Sequence, residues 1–113
     1  MAPELRSKTW LENERGKIFG DGPCELLEKV ERTGSLRKAA ADMKMSYRQA
    51  WDLIKMLEEN LGFPLLERQV GGMYGGGSSL TDEGRKLMLR YREFRQETNK
   101  SMQVLFDRYF RGL

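Results

Sequence analysis

The chain has 113 residues, of which 39% are apolar and 33% charged, and it contains one cysteine and no histidine. This length suits one small domain, and the missing histidine excludes imidazole-based catalytic triads, histidine-ligated zinc and imidazole proton transfer. With 20 basic and 17 acidic residues, the formal charge of +3 is mild, so a polyanionic partner would have to be recognised by individually placed side chains.

The first third of the chain predicts a β-hairpin followed by a helix. Residues 5–12 and 17–19 are interpreted as two short strands around a turn at residues 14–17. Pro23 favours the first turn of a helix over residues 23–33, which Gly34 ends. No stretch reaches the ~20 apolar residues that a membrane span requires, and the lone cysteine predicts a cytoplasmic protein without a metal site.

Two helices joined by a tight connection are predicted over residues 35–43 and 46–61. Ser35 and Ser46 are typical N-cap residues, and apolar residues recur at helical spacing after each of them. Gly62 and Pro64 end the second helix. This arrangement is typical of a helix-turn-helix, in which the first helix presents the second outward.

A second hairpin is predicted directly after this pair of helices. Residues 64–68 and 78–81 are interpreted as its strands, and their connection is rich in glycine. We interpret residues 66–80 as a wing, in which Gly75 and Gly76 allow a close approach to a sugar-phosphate backbone. A flexible spacer and a nucleotide-binding loop are the alternatives, and the missing Gly-Lys-Ser/Thr motif argues against the loop.

A long helix is predicted after the wing, with Thr81 as its cap. Its apolar residues form one stripe along ~28 residues, which is too long for the core of so small a domain. We therefore interpret the stripe as a dimer interface formed by Leu87, Tyr91, Phe94, Met102, Leu105 and Tyr109. The expected fold is mainly α with small β-hairpins: a winged helix-turn-helix domain over residues 1–81 and a C-terminal dimerisation helix of the same domain over residues 82–113.

The first turns of the second helix in the pair carry the candidate base-reading side chains. Arg48 can donate two hydrogen bonds to guanine, and Gln49 can pair with adenine; an ordinary solvated helix start is the alternative. We interpret Asp52 as orienting Arg48 and Trp51 as the edge of the core. Further DNA contacts are predicted at Ser46 and Tyr47 beside these residues, at Lys55 and Arg68 to phosphate, and at Ser35, Arg37 and Lys38 on the preceding helix.

Several segments resemble a known family of regulators. Residues 34–40, 57–68 and 80–84 look like the winged helix-turn-helix of LysR-type regulators. The stretch from Ser46 to Asp52 is similar to the Ser-Tyr-(Lys/Arg)-x-Ala-Trp-(Asp/Glu) motif of the ModE family, whose members respond to molybdate. The resemblance spans about residues 16–95. It implies a homodimer joined through the C-terminal helix, with one recognition helix and one wing on each operator half-site.

The expected function is transcriptional regulation by a cytoplasmic, nucleoid-associated homodimer bound to a double-stranded DNA operator. No enzymatic activity, no cofactor and no molybdate site are expected in this chain, because the oxyanion-binding domains of the ModE family lie beyond the part that it resembles. The alternative is a protein-interaction module that uses the long helix without sequence-specific DNA binding. In the absence of histidine, DNA affinity should respond to salt and hardly to pH between about 5 and 8.

Overall fold

The computed structural model describes residues 1–68 and 77–113 and confirms a mainly α fold with two small β-hairpins. Each hairpin is a two-stranded antiparallel sheet. In chain order the elements are β1 (Trp10–Asn13), β2 (Gly16–Gly20), α1 (Asp21–Thr33), α2 (Leu36–Asp42), α3 (Tyr47–Leu61), β3 (Leu66–Arg68), β4 (Ser78–Leu80) and α4 (Asp82–Phe110).

The N-terminal hairpin is present, but its first strand is shorter than predicted and begins only at Trp10. Trp10 pairs with Gly20, the last residue of β2, and α1 starts at the next residue. Residues 5–9 therefore have no opposite strand residues to pair with. The helix also starts two residues before the predicted Pro23, and the backbone N–H of Asp21 donates to the Thr9 carbonyl.

The first three helices pack around one apolar core. Gly34 and Gly62 are the C-caps of α1 and α3, and each adopts the left-handed conformation that favours glycine. Ser35 caps α2 through a hydrogen bond that its side chain accepts from the Lys38 N–H. The side chains that are at most 1% exposed on these helices are Leu26, Leu27, Val30, Leu36, Ala39, Ala40, Ala50, Ile54 and Leu57, and each of the larger ones contributes about 1.5–3 kcal/mol by burial.

Cys24 belongs to this core. Its side chain is 5% exposed, and the thiol donates to the Glu28 carboxylate over 3.3 Å. Burial, reinforced by the Glu28 carboxylate, raises the pKa of Cys24 to about 12. The thiol therefore stays protonated at neutral pH and packs as a small apolar side chain.

The second hairpin follows α3 and pairs Leu66 with Leu80 and Arg68 with Ser78. β3 begins two residues later than predicted because Pro64 has no N–H to donate and the Leu65 N–H donates to the Glu58 carboxylate over 2.7 Å. The predicted backbone contacts Gly75 and Gly76 lie outside the described residues.

The apolar stripe of the long helix α4 is buried in its first half and exposed in its second. In its first half, Met88 and Tyr91 are each 3% exposed and pack in the core of their own chain. In its second half, Leu105 and Tyr109 continue the same stripe but are 47% and 72% exposed. The prediction of one uninterrupted partner-facing stripe therefore requires correction: Tyr91 is a core residue, with almost no surface left for a partner.

Tyr91 takes part in a polar network that fixes α4 to the start of α1. Its hydroxyl donates to the Asp21 carboxylate over 2.6 Å, and its ring meets Phe19 edge-on. Arg95, whose side chain is 12% exposed, donates to the same carboxylate over 2.8 Å. Burial alone would raise the pKa of Asp21, but the hydrogen bonds from Tyr91, Arg95 and the Thr9 N–H outweigh it and lower that pKa.

This lowered pKa predicts a loss of stability in acid. The contribution of Asp21 is fully present above its unfolded pKa of about 3.9 and is lost as the pH falls through the lower folded value. Asp21→Asn is expected to reduce the free energy of unfolding by roughly 1–3 kcal/mol at pH 7, and to narrow the difference between the stabilities at neutral and strongly acidic pH. Urea denaturation at both pH values measures this; a difference as wide as in the wild type would contradict it.

Candidate nucleic-acid interface

The outer face of α3 is polar and fully presented to solvent. Ala50, Ile54 and Leu57 point into the core, which leaves Arg48 and Asp52 on the opposite side with side chains 91% and 71% exposed. Arg48 Nε lies 4.0 Å from Asp52 Oδ2, one helical turn away, which agrees with an orienting role for Asp52. Lys55 is also exposed on this side, so the geometry leaves Arg48 free to reach a base edge.

Gln49 forms part of a helix cap, a role that the sequence analysis does not assign to it. The Ser46 side chain accepts from the Gln49 N–H over 3.0 Å, and the Gln49 carboxamide oxygen accepts from the Ser46 N–H over 2.9 Å. This capping box satisfies two backbone donors at the start of α3. Bidentate pairing of Gln49 with adenine would require its oxygen to leave Ser46. The Ser-x-x-Gln spacing was the available sequence signal for the box.

The capping box predicts a graded effect at Ser46. Ser46→Ala is expected to lower the free energy of unfolding by about 1 kcal/mol, because the Gln49 N–H loses its acceptor. Ser46→Gly should cost only about 0.3 kcal/mol, since glycine is itself a tolerated N-cap. Urea denaturation of the two variants provides a matched comparison, and equal losses would argue against a capping role.

Four side chains from three elements form what we call the cation–aromatic stack: Arg37 of α2, Tyr47 and Trp51 of α3, and Arg68 of β3. The Arg37 guanidinium lies 4.2 Å from the centre of the Tyr47 ring, and the Arg68 guanidinium lies 4.9 Å from the centre of a Trp51 ring. Tyr47 and Trp51 meet edge-on. The stack thus joins the helix-turn-helix to the base of the second hairpin.

The stack bears on the DNA contacts that the sequence predicts for Arg37, Tyr47 and Arg68. A guanidinium that lies over an aromatic ring can still donate its N–H groups to phosphate, so the stack holds Arg37 and Arg68 in place as possible donors. Tyr47 is half-buried between them, and its hydroxyl lies 3.5 Å from Arg68 Nη2. The aromatic rings therefore support the cations more than they reach outward. The sequence signal was Tyr47 and Trp51 one helical turn apart on α3.

The remaining predicted DNA contacts lie near the start of α2. Lys38 is exposed, whereas the half-buried Ser35 already uses its hydroxyl oxygen to accept from the Lys38 N–H over 3.1 Å. The structure therefore gives Ser35 a capping role, while the side chain of Lys38 is exposed and has no ion-pair partner among residues 1–68 and 77–113. Arg37, Lys38, Arg48, Lys55 and Arg68 are all exposed on α2, α3 and β3.

The predicted dimer residues differ in how much surface they offer. Leu87 packs against the core and Met102 is half-buried, while Phe94 is 44% exposed. Two aromatic residues extend this face and were missed: Phe106 and Phe110, whose rings lie 5.4 Å apart. Their spacing from Met102 and Tyr109 was the available signal. The stripe itself stays a prediction as a dimer interface.

Neither a metal site nor a membrane-spanning helix is found in the described part of the chain. Within residues 1–68 and 77–113, no group of three or more Cys, Asp and Glu side chains is arranged to hold a metal ion. Among the helices in those ranges, none combines the length and the apolar character needed to cross a membrane.

A family model for bacterial regulatory helix-turn-helix proteins of the lysR family matches residues 24–85. That match covers more than half of the chain and includes α2, α3 and both strands of the second hairpin. The chain belongs to the LysR family. As a member of a family of regulatory helix-turn-helix proteins, it is not an enzyme.

Individual relatives refine this placement within the LysR family. The chain is 37% identical over 107 residues to the molybdenum transport protein ModE of Azotobacter vinelandii, covering 95% of this chain and 40% of that protein. It is 36% identical over 92 residues to the DNA-binding transcriptional dual regulator ModE of Escherichia coli K12, covering 80% and 35%. The molybdenum-pterin-binding protein MopB of Rhodobacter capsulatus is 39% identical over 76 residues, covering 67% and 28%.

These relatives confirm the resemblance to ModE. The chain spans less than half the length of each of the three. The similarity therefore identifies a ModE-like winged helix-turn-helix regulator of the LysR family, and the activities of the full-length relatives are not transferred with it.

Proposed function

We propose that the chain is a sequence-specific, double-stranded DNA-binding transcriptional regulator that acts as a homodimer. The observation that carries this is the solvent-facing side of α3, where Arg48 projects with its side chain 91% exposed. In a helix-turn-helix, this is the surface that enters the major groove. Membership of a family of bacterial regulatory helix-turn-helix proteins supports the same function.

The contacts divide by chemistry. Arg48 donates two hydrogen bonds to the O6 and N7 of guanine. Gln49 reads adenine if its oxygen leaves the capping box, with Ser46 and Tyr47 beside it. Phosphate is bound by four exposed cations on and around α3, namely Arg37, Lys38, Lys55 and Arg68. Ser35 supports these contacts by capping the start of α2. The wing, including Gly75 and Gly76, follows the DNA backbone next to the groove.

The second half of α4 supplies the dimer contact. Met102, Leu105 and Tyr109 continue an apolar stripe after the point where the chain's own core ends, and Leu87 and Phe94 border it. A two-fold axis through this region would present two copies of α3 to half-sites about one helical turn apart on DNA. The operator is therefore expected to be pseudo-palindromic.

The proposed place of action is the bacterial nucleoid in the cytoplasm, since that is where operator DNA lies. The proposal includes no molybdate site within these 113 residues. Because two of the relatives carry molybdenum in their names, genes of molybdenum metabolism should be examined among the targets.

Selection of bound fragments from genomic DNA, followed by gel shifts with the selected duplex, tests the proposal. We expect one recurring pseudo-palindromic sequence and an affinity that falls steeply as salt rises, because phosphate contacts release counterions. Binding without sequence preference, or no shift at low salt, would contradict the proposal. The latter result would favour a protein-interaction module built on α4.

A further inference from the structure

The second hairpin is held at the start of β4 by a close backbone contact. The Ser78 N–H donates to the Gly34 carbonyl over 2.9 Å, and a Cβ added to Gly77 would lie 2.7 Å from that same oxygen. A side chain at position 77 would therefore collide with the backbone of the turn between α1 and α2 unless one of the two segments moved.

The hairpin is held on its other strand by the cation–aromatic stack. Arg68, the last residue of β3, packs its guanidinium on Trp51 of α3. The indole Nε1 of Trp51 is buried and has no hydrogen-bond partner within the described residues. An unsatisfied buried N–H is a cost, so what the tryptophan contributes at this position is the face of its ring.

The two contacts connect the hairpin to α3 and to the start of α2, the two helices that are proposed to contact DNA. Trp51 ties β3 to α3, the proposed major-groove helix, and Gly77 seats β4 on Gly34, next to the start of α2 with Arg37. Contacts at the base of each strand restrict the position of the hairpin base relative to α3. DNA binding then needs no further ordering of the hairpin base, which preserves affinity.

We propose that Gly77 and Trp51 are positioning residues, which fix the wing on the helix-turn-helix so that wing and recognition helix meet the operator together. This inference rests on the proposed DNA-binding function. It assigns neither residue a contact with DNA. Both act through the location of the hairpin and of Arg68.

Gly77→Ala tests the seating of β4 on Gly34, with Gly22→Ala as its matched control. A Cβ at Gly22, which is exposed at the start of α1, would meet nothing within 4 Å. On the duplex selected with the wild-type chain, Gly77→Ala should bind roughly tenfold more weakly. The slope of the logarithm of its binding constant against the logarithm of the salt concentration should be shallower, by about one unit for each phosphate that the wing no longer reaches. Gly22→Ala should bind within about twofold of the wild type.

Hydroxyl-radical footprinting separates positioning from a loss of folding. A variant that is merely less stable has a smaller active fraction but the wild-type footprint and salt slope. Gly77→Ala should instead lose protection of the backbone at the flanks contacted by the wing and keep it at the nucleotides on either side of α3. Hydrogen exchange at the Ser78 amide should speed up in the same variant, since its acceptor at Gly34 is displaced.

Trp51 is tested by a pair of substitutions. Trp51→Phe keeps a ring face under Arg68 and should bind within about twofold of the wild type, whereas Trp51→Leu should reproduce the shallower salt dependence and the altered footprint. The double variant Gly77→Ala/Trp51→Leu should lose less than the product of the two single losses, because both act on one hairpin.

Wild-type affinity, salt slope and footprint in both Gly77→Ala and Trp51→Leu would overturn the inference. Should Gly77→Ala fail to fold, Trp51→Leu decides alone, because Trp51 lies at the edge of the core. Failure of the wild-type chain to select any sequence would instead refute the proposed function, so the two failures are distinguishable.

Discussion

A chain carrying Leu105→Glu and Tyr109→Glu is expected to sediment as a monomer and to bind the selected duplex at least about 100-fold more weakly than the wild type. Both side chains lie on the unpartnered half of the α4 stripe and are 47% and 72% exposed. The substitutions therefore place charge in the proposed interface without entering the core. The loss in affinity follows because a monomer forfeits the effective concentration that joins two half-sites.

Val104→Glu is the matched control for this experiment. Val104 is 59% exposed on the same helix, but at 100° per residue it points away from the stripe formed by Met102, Leu105 and Tyr109. We expect this variant to remain a dimer with wild-type affinity. If the double variant also remained a dimer, α4 would not be the dimer interface; if Val104→Glu dissociated, the stripe would be placed on the wrong side of the helix.

Arg48→Ala is expected to cost roughly 1–3 kcal/mol per base contact and to relax sequence preference at one position in each half-site. The reason is specific: the Arg48 side chain is 91% exposed and faces away from the apolar seam of α3. Competition binding with duplexes substituted one base pair at a time measures the effect. Circular dichroism should show an unchanged fold, because the side chain packs against little of the protein.

Lys55→Ala provides the comparison for Arg48. It removes the same charge from the exposed side of the same helix, but a phosphate contact carries no sequence information. Its affinity should therefore fall by a similar factor on every duplex. If Arg48→Ala behaved in the same uniform way, Arg48 would be a phosphate contact and the base-reading assignment would be incorrect.

The local signals in the sequence predicted the helices well. Ser35, Ser46 and Thr81 were identified as caps, and each accepts the expected backbone hydrogen bond. These features depend on residues three or four positions apart, so their physics is contained in a short segment. The strand boundaries were less well predicted, because β1 could extend only as far as its partner β2 allowed.

The role of Tyr91 shows where periodicity stops being informative. Spacing identified the apolar side of α4, but it does not specify whether the chain's own core or another copy covers that side. The answer depends on Phe19 and Asp21, which precede Tyr91 in the chain by about 70 residues and meet it only after folding. The same limit applies to Trp51, whose stacking on Arg68 joins residues of different elements.

The sequence by itself determined a helix-turn-helix with hairpins and an amphipathic final helix, since caps, periodicity and motif residues all act over short distances. It also determined that no imidazole takes part in any DNA contact, because the chain has no histidine. Only the tertiary structure decided which half of the α4 stripe is exposed, that Gln49 closes a capping box, and that Ser78 contacts Gly34 while Arg68 stacks on Trp51. These outcomes depend on which surfaces meet when segments far apart in the sequence fold together. A local sequence pattern does not specify those contacts.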